Sequence, residues 1–323
     1  LTSSIGANNS GNSPTSIFPI FTPIRQKYTI MGFKGIYKEK SSASKIGILF
    51  LLIFVSAILH IIVASALTIL FADNGVALIQ NQDLTNQVSV NYLKLIQLFS
   101  GIGLFITPTL LYAYLTDFDF KFSPITMQNT LLVIAIMMLV IPFVGLLLEW
   151  NMSIAFPEWI LSLGNDSEKI VESFLKMNHL GDLLFNLLVI AIVPAIGEEL
   201  LFRGYFQQSF SKWLTNHHIA ILITAFLFSA IHLDAQGIIP RFVLGVLLGY
   251  LYYWSGSLWL PILAHFVNNA QVVIFSYPLF KVDSGAYSIL SEAKVDPMLG
   301  LFSFLSVIFL LYVLYQNLSI KKG

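Results

Sequence analysis

The sequence predicts an all-α membrane protein, a polytopic bundle of about eight transmembrane helices. Hydrophobic residues make up 56% of the 323-residue chain. Charged residues make up only 11%, whereas soluble domains carry about 25%. Apolar runs long enough to cross a bilayer recur along most of the chain. Together these observations exclude an ordinary soluble domain.

Net charge and cysteine content exclude several other classes. The formal net charge is zero, so the chain has no basic footprint for nucleic acid, and we expect no nucleic-acid partner. The chain contains no cysteine, which excludes disulfides, a thiol nucleophile and a thiolate metal site.

The N-terminal segment, residues 1–45, is expected to be disordered and basic. The chain begins with Leu1, and residues 1–16 are mostly small and polar. Met31 precedes the first apolar run, so we interpret it as the natural start and residues 1–30 as upstream sequence. The first apolar run is too long for a signal peptide and should remain in the mature protein.

Eight apolar segments are long enough, or nearly so, to span a membrane. They lie near residues 46–71, 93–115, 128–149, 182–202, 217–233, 238–254, 258–277 and 298–318. The fifth and sixth are short and are joined by a polar turn around Asp234, Gln236 and Gly237. The first three form an N-terminal region, 46–150, and the last belongs to a C-terminal region, 278–323.

Lys and Arg residues predict the orientation. With the N-terminus inside, the inner segments carry eleven Lys and Arg residues and the outer segments six. We therefore expect both termini in the cytoplasm. The short loops and compact size favour a bacterial protein of the plasma (inner) membrane.

The segment between the third and fourth spans, residues 151–181, is expected to be an amphipathic connector. Asn165, with Glu168 three residues later, is a helix-start signal. Ile170, Val171 and Phe174 then share one apolar face. This pattern fits a helix packed on the bundle and a functional lid at the membrane surface equally well.

Ionisable groups are concentrated in the second half of the chain. The fourth span carries Glu198, Glu199 and Arg203, the fifth carries His232, and the seventh carries His265, Asn268 and Asn269. Asp, Lys or Arg at mid-membrane costs about 2.5–3.5 kcal/mol on the insertion scale, so such groups usually mark a functional path. His60, isolated in the first span, is expected to be a hydrogen-bonded core residue. Asn268, Asp234 and Arg241 are explained equally well as contacts between helices.

Helical spacing separates the two adjacent acids. Glu199 and Arg203 are four residues apart and can pair on one face. Glu198 lies about 100° around the helix and is left free for other work. His265 and Asn269 present two polar groups at one point. Pro194 should bend the helix and free a backbone carbonyl near Ile190.

Three strings resemble one family pattern. EELLFR fits Glu-Glu-x-x-x-Arg, FSAIH fits Phe-x-x-x-His, and HFVNN fits His-x-x-x-Asn. Their order and spacing over residues 180–277 resemble the CPBP family of intramembrane endopeptidases. That family includes the type II CAAX prenyl proteases and the Abi-type bacteriocin-processing or immunity proteins. Residues 182–277 would then be the catalytic core.

The resemblance implies a glutamate-dependent peptidase that forms no covalent intermediate and needs no cofactor or metal. Glu198 and His232 would hold and activate a water. His265 and Asn269 would form the oxyanion hole, with Glu199 and Arg203 as a supporting pair. We expect the four catalytic side chains to share one cavity that opens to the cytoplasm.

Two alternatives compete with this interpretation. Glu198, His232 and His265 offer a carboxylate and two imidazoles to zinc, although the chain has no H-E-x-x-H helix. A bacteriocin-immunity protein would act by binding alone. A transporter is disfavoured because the two halves lack a repeated pair of broken helices.

The expected partners are the lipid bilayer and a peptide or lipidated protein substrate. A prenylated CAAX-like tail and a bacteriocin or leader peptide are equally compatible with the resemblance. The sequence gives no signal for an oligomeric state.

Overall fold

The computed structural model describes residues 32–280 and 295–319, and within these ranges it is helical with no strand. The all-α class is therefore confirmed. The helices are α1 Ser42–Phe71, α2 Gly75–Gln80, α3 Gln87–Thr116, α4 Met127–Leu139, α5 Ile141–Met152, α6 Glu158–Leu161, α7 Asn165–Leu175, α8 Leu180–Leu214, α9 His217–Ala230, α10 Ile238–Ser255, α11 Trp259–Phe275 and α12 Pro297–Ser319.

Each of the eight apolar segments contains a helix, but the count of eight full spans is not confirmed. Among the described residues, five helices are long and apolar enough to cross a membrane, namely α1, α3, α8, α12 and α10 with the turn before it. The count rises to 6 if α4 and α5, which meet at a bend of 40°, form one broken span. Helices α9 and α11 are apolar but shorter, with 14 and 17 residues.

Helix α1 is a membrane helix that packs on α3 along one side and is exposed over most of its surface. Ser41 caps its first turn by accepting a hydrogen bond from the Ser44 amide. Apolar side chains surround the helix on all sides, and Phe50 and Phe54 are more than half exposed. A helix that is hydrophobic all round is typical of a membrane span. These exposed side chains therefore face lipid.

His60 on α1 is a hydrogen-bonded packing residue, as expected. Its Nδ1 lies 2.8 Å from the Ser56 carbonyl oxygen, and its Nε2 lies 3.3 Å from Thr107 Oγ1 on α3. A Cβ at Gly103 would lie 2.8 Å from the His60 Cβ, so glycine at this position permits the close approach of the two helices.

The bundle has two ends that differ in their charged groups. At one, here called the Asp117 end, Lys38 donates to Asp117 and Gln208 donates to the Asp119 carbonyl. Ser257 joins α10 and α11 to the same end through the Ser123 carbonyl.

The opposite end of α10 is here called the Asp234 end. It holds the turn of residues 231–237, which is bonded to Asn151 at the end of α5. Trp254 packs against Tyr315 near the end of α12. Lys38, which precedes α1, and Tyr315 in the last turns of α12 therefore both lie at the Asp117 end.

The connector helix α7 packs on the bundle. Phe174 and Leu175 are buried, and Asn186 of α8 donates to the Phe174 carbonyl at 2.5 Å. Ile170 and Val171 pack against two neighbouring apolar clusters. These contacts favour a packed connector over a free lid.

Candidate active site

The four side chains expected to be catalytic line one cavity. The cavity has a volume of about 120 Å³ and lies inside the bundle. Its polar lining consists of Glu198, His232, Arg241, His265, Asn268 and Asn269. The structure therefore brings together groups from α8, α10, α11 and the end of α9.

The hairpin of α8 and α9 places Glu198 and His232 at the same depth. Helix α8 continues past Arg203 to Leu214, as the sequence predicts, and α9 starts at His217. Glu198 and His232 each lie about 15 residues from this tight turn, which corresponds to about 23 Å along each helix. Two neighbouring antiparallel helices therefore present the two side chains at one level.

Two π-helical segments flank the turn that carries the acids. They cover Leu187–Ile192 and Leu200–Gln207, and Val193–Glu199 between them is α-helical. Single π turns inside α-helices occur often at functional sites. A widened turn changes the direction in which the following side chains project, so the first segment affects the direction of Glu198 and the second that of Gln207 and the residues after it.

Asn269 donates a hydrogen bond to the backbone carbonyl that Pro194 leaves without a donor. Pro194 has no amide hydrogen for the carbonyl of Ile190. Asn269 Nδ2 donates to that oxygen at 3.0 Å, and its Oδ1 accepts from Asn268 Nδ2 at 3.1 Å. Asn269 thus satisfies the carbonyl that Pro194 leaves without a helical donor, and this hydrogen bond joins α8 to α11.

Glu199 and Arg203 form a fully buried ion pair. Arg203 Nη1 lies 2.6 Å from Glu199 Oε1, and both side chains are 0% exposed. Arg203 Nη2 donates to the Gly245 carbonyl of α10 at 3.0 Å. One turn later, Gln207 donates to the Gly249 carbonyl at 2.9 Å. Two hydrogen bonds, one turn apart, therefore connect α8 to α10.

His265 links the ion pair to the cavity. Its Nδ1 lies 2.9 Å from Glu199 Oε1, and its Nε2 lies 3.9 Å from Glu198 Oε2. Since Glu199 is held by Arg203, its carboxylate accepts the Nδ1 proton of His265. The Nε2 edge of the ring is thereby turned towards Glu198.

Glu198 keeps a carboxylate oxygen without a partner. Its Oε2 is buried, and within the described part of the chain no group donates a hydrogen bond to it. Leaving a buried acceptor unpaired typically costs about 1–3 kcal/mol, and more for a charged group. An unpaired carboxylate oxygen in a cavity is available for a water or a substrate.

His232 lies just beyond the end of α9. Its Nδ1 lies 2.9 Å from the Phe228 carbonyl, so this nitrogen carries the proton and Nε2 of the neutral ring is an acceptor. Leu233 follows with a φ of 53°. A left-handed leucine is strained and ends the helix abruptly. The chain therefore turns away directly after the histidine.

Phe228 has a role that the sequence interpretation did not assign. Its ring contacts His232 and His265 with centroid separations of 5.3 and 5.7 Å, and the Arg203 guanidinium lies 4.6 Å from its centroid. The ring thus lies between the buried ion pair and the cavity. Its place in the string FSAIH was the available signal.

Asn151 is a second residue that sequence reasoning missed. Its side chain is fully buried, donates to the Ala235 carbonyl and accepts from the Ile239 amide. These two bonds fix the turn before α10, from which Arg241 reaches the cavity. No local pattern around Asn151 indicated this long-range partner.

The charged part of the cavity lining lies at the Asp234 end. Arg241 and its ion-pair partner Asp234 lie there, whereas Lys38 lies at the opposite, Asp117 end. The expectations of cytoplasmic termini and of a polar mouth on the cytoplasmic side stay predictions.

No cluster of three or more His, Cys, Asp or Glu side chains is arranged to hold a metal ion within residues 32–280 and 295–319. Glu198, His232 and His265 share the cavity without forming such a cluster.

Comparison with known proteins identifies the class of the site region. Residues 180–271 match the model of the Rce1-like type II CAAX prenyl endopeptidase family. The match contains all three sequence strings and every residue expected to be catalytic. This segment is similar to the Rce1-like family, and the chain that carries it is a multi-pass membrane protein.

Individual relatives agree with this match. The chain is 30% identical over 117 residues to "Putative membrane peptidase YdiL" of Bacillus subtilis (strain 168), covering 36% of this chain and 46% of that protein. It is 30% identical over 118 residues to an "Uncharacterized 24.3 kDa protein" of Escherichia coli, covering 35% and 54%. The chain thus spans about half the length of the curated relatives it matches. No solved structure matches it.

Proposed function

We propose that the protein is an intramembrane endopeptidase in which Glu198 and His232 activate a water for peptide hydrolysis. The observation that carries the proposal is the buried, unpartnered Oε2 of Glu198 in the cavity that His232 and His265 also line. The match to the Rce1-like family and the printed name of the Bacillus relative support a peptidase.

Glu198 and His232 are the two acceptors that an attacking water needs. The bond from His232 Nδ1 to the Phe228 carbonyl leaves Nε2 as an acceptor. The water oxygen attacks the scissile carbonyl carbon, and the carboxylate of Glu198 takes one proton from the water. A positioned general base of this kind typically contributes about 10²–10⁴-fold in rate.

His265 and Asn269 supply the donors for the oxyanion. Because His265 donates Nδ1–H to Glu199, its Nε2 donates only when the ring carries a second proton. Glu199 accepts the Nδ1–H of the ring in either state. Asn269 Nδ2 carries two hydrogens, of which one is bound by the Ile190 carbonyl and the second is available to the substrate. One oxyanion donor is typically worth about 10²–10³ in rate.

Collapse of the tetrahedral intermediate completes the reaction. The C–N bond breaks as the carbonyl re-forms, and the proton held by Glu198 passes to the leaving amine. The products are a new carboxylate and a new amine, with no covalent enzyme intermediate. Arg203 holds the carboxylate of Glu199 in place, and Glu199 in turn maintains the orientation of His265.

The substrate is proposed to be a peptide segment at the membrane surface, either a lipidated tail or a leader peptide. Purified protein in lipid vesicles should cleave members of a synthetic peptide pool, as read by mass spectrometry, and Glu198→Ala should not. Cleavage should persist in a chelator. Loss of activity on chelation, restored by zinc, would support the metalloprotease instead. A well-folded protein that binds peptides but cleaves none would support an immunity-type binder.

A further inference from the structure

Arg241 is the cationic residue of the cavity and has no part in the proposed chemistry. It lines the same cavity as Glu198 and His232 but lies at the Asp234 end. Its Nη2 lies 2.7 Å from Asp234 Oδ2, and the side chains of Arg241 and Asp234 are 32% and 27% exposed. The pair is therefore neither buried in the core nor free in solvent.

The guanidinium is held in a defined position. Asn151 fixes both ends of the turn before α10, and Asp234 Oδ1 accepts from the Gln236 amide at 3.0 Å. A Cβ at Gly237 would clash with Arg241 Nη1, so glycine at this position leaves the space that the guanidinium occupies. A side chain seated in this way loses little entropy when it binds a ligand.

Asp234 uses only part of the hydrogen-bonding capacity of Arg241. A guanidinium has five N–H donors in a planar fork. Asp234 accepts from Nη2 with its carboxylate and from Nη1 with its carbonyl oxygen, the latter at 3.4 Å. A partly exposed ion pair by itself contributes little stability. The remaining donors are matched by the two oxygens of a carboxylate, which pairs with arginine in a bidentate geometry.

We propose that Arg241 determines specificity by binding a carboxylate of the substrate close to the scissile bond. The proposal rests on the peptidase function proposed above. Glu198 lies at the other side of the cavity and repels a substrate carboxylate. An acidic substrate therefore binds only when its carboxylate lies at Arg241. The carboxylate is either the C-terminus of the peptide or an Asp or Glu side chain, and these two sources are separable by experiment.

The test compares three matched pools of synthetic peptides, each offered to the protein in lipid vesicles. Peptides of the first pool have a free C-terminus and no Asp or Glu. Those of the second have an amidated C-terminus and no Asp or Glu, and those of the third have an amidated C-terminus and contain Asp and Glu. The wild-type protein should cleave one of the two carboxylate-bearing pools with a kcat/KM at least about 10-fold above that of the amidated neutral pool. Arg241→Gln should reduce that ratio about 10-fold through KM. Arg241→Lys should give an intermediate ratio because it keeps the charge and loses the fork. Lys176→Gln, an exposed cation outside the cavity, is the matched control.

A binding measurement separates failure of this inference from failure of the peptidase function. The Glu198→Gln protein should be stabilised thermally by the preferred carboxylate peptides more than by their neutral amides, and the Glu198→Gln/Arg241→Gln protein should not. A wild-type protein without cleavage, together with this binding difference, would reject the peptidase and keep the carboxylate site. Equal preferences in wild type and Arg241→Gln, in cleavage or in binding, would overturn the role of Arg241.

Discussion

The core of the bundle and its Asp117 end each contain an acid paired with a base at almost the same distance. Glu199 and Arg203 are 2.6 Å apart and fully buried. Asp117 and Lys38 are 2.8 Å apart, and their side chains are 39% and 57% exposed. The two pairs have similar nitrogen–oxygen distances and differ in how far their side chains are exposed to solvent. In the core, each charge depends on its partner because water is excluded. At the exposed end, water solvates either charge alone.

The largest effect on activity is expected from Glu198, the acid of the core that has no partner. Glu198→Gln should lower peptide cleavage by about 10²–10⁴-fold or more, since the base is lost. Folding should be near normal, because the amide avoids burying an unpaired charge. Cleavage assays and size-exclusion chromatography measure the two properties. Glu158→Gln, an exposed acid on α6, should change neither. An unfolded Glu198→Gln would show that this glutamate, and not Glu199, has the structural role.

The largest effect on stability is expected from Arg203. Arg203→Ala leaves Glu199 buried without its cation and the Gly245 carbonyl without its donor. Removing one partner of a buried pair costs about 3–5 kcal/mol. We therefore expect a lower yield of folded protein in detergent and a lower unfolding midpoint. Normal folding of Arg203→Ala would show that the buried pair does not stabilise the fold and that the two regions do not differ as described.

Local spacing in the sequence predicted the ion pair within α8, but it did not predict the hydrogen bonds that join α8 to α11. The interval of four residues predicted the pair of Glu199 and Arg203, which the structure shows. The missing amide of Pro194 predicted a free carbonyl near Ile190, but not that Asn269 of α11 would bind it. The bond from His265 to Glu199 joins residues 66 apart in the chain, and no local pattern specifies such a partner.

The number of spans was less predictable, because hydropathy does not distinguish a helix buried in protein from one that crosses lipid. Helix α11 has 17 residues and is apolar and largely buried, whereas α9 has 14 residues and keeps Ile219, Leu222 and Phe226 exposed. The bend between α4 and α5 likewise divides one apolar run. The catalytic roles of Glu198, His232, His265 and Asn269 stay predictions.

A medium effect on stability is expected where α8 and α10 meet. A Cβ at Gly249 would lie 2.8 Å from Ile221 Cγ2 and 3.0 Å from Gln207 Oε1. Gly249→Ala should therefore destabilise the protein by about 1–3 kcal/mol. Gly47→Ala on α1 is the matched control, because its Cβ meets nothing within 4 Å. The control should be neutral or stabilising, since alanine favours a helix. Denaturant titration in detergent compares the two variants.

The smallest effect is expected at the Asp117 end. The hydrogen bond and charge of Lys38 hold the pKa of Asp117 below its usual range. A lowered folded pKa contributes stability that is present above the unfolded pKa, about 3.9, and is lost as the pH falls through the folded value. Lys38→Ala should therefore lower the thermal midpoint only slightly at pH 7. The difference from wild type should vanish on acidification and shrink in high salt. A large effect at pH 7 would contradict the comparison.

The side of the membrane on which each end lies can be tested by labelling. The chain has no native cysteine, so single cysteines are specific probes. A cysteine at Ser211 marks the Asp117 end, and one at Ser153 marks the Asp234 end. With cytoplasmic termini, an impermeant maleimide should label only the Ser153 position in intact cells. The reverse pattern would place the Asp234 end in the cytoplasm and support the expected cytoplasmic mouth.

The position of Arg241 at the end opposite Lys38 and Tyr315 has a consequence for the timing of cleavage. With cytoplasmic termini, a peptide that reaches Arg241 has already crossed the membrane or emerges from it on the far side. The peptidase proposed above would then act after export, on peptide that another protein has already carried across the membrane. Secretion would in that case set the supply of its substrate.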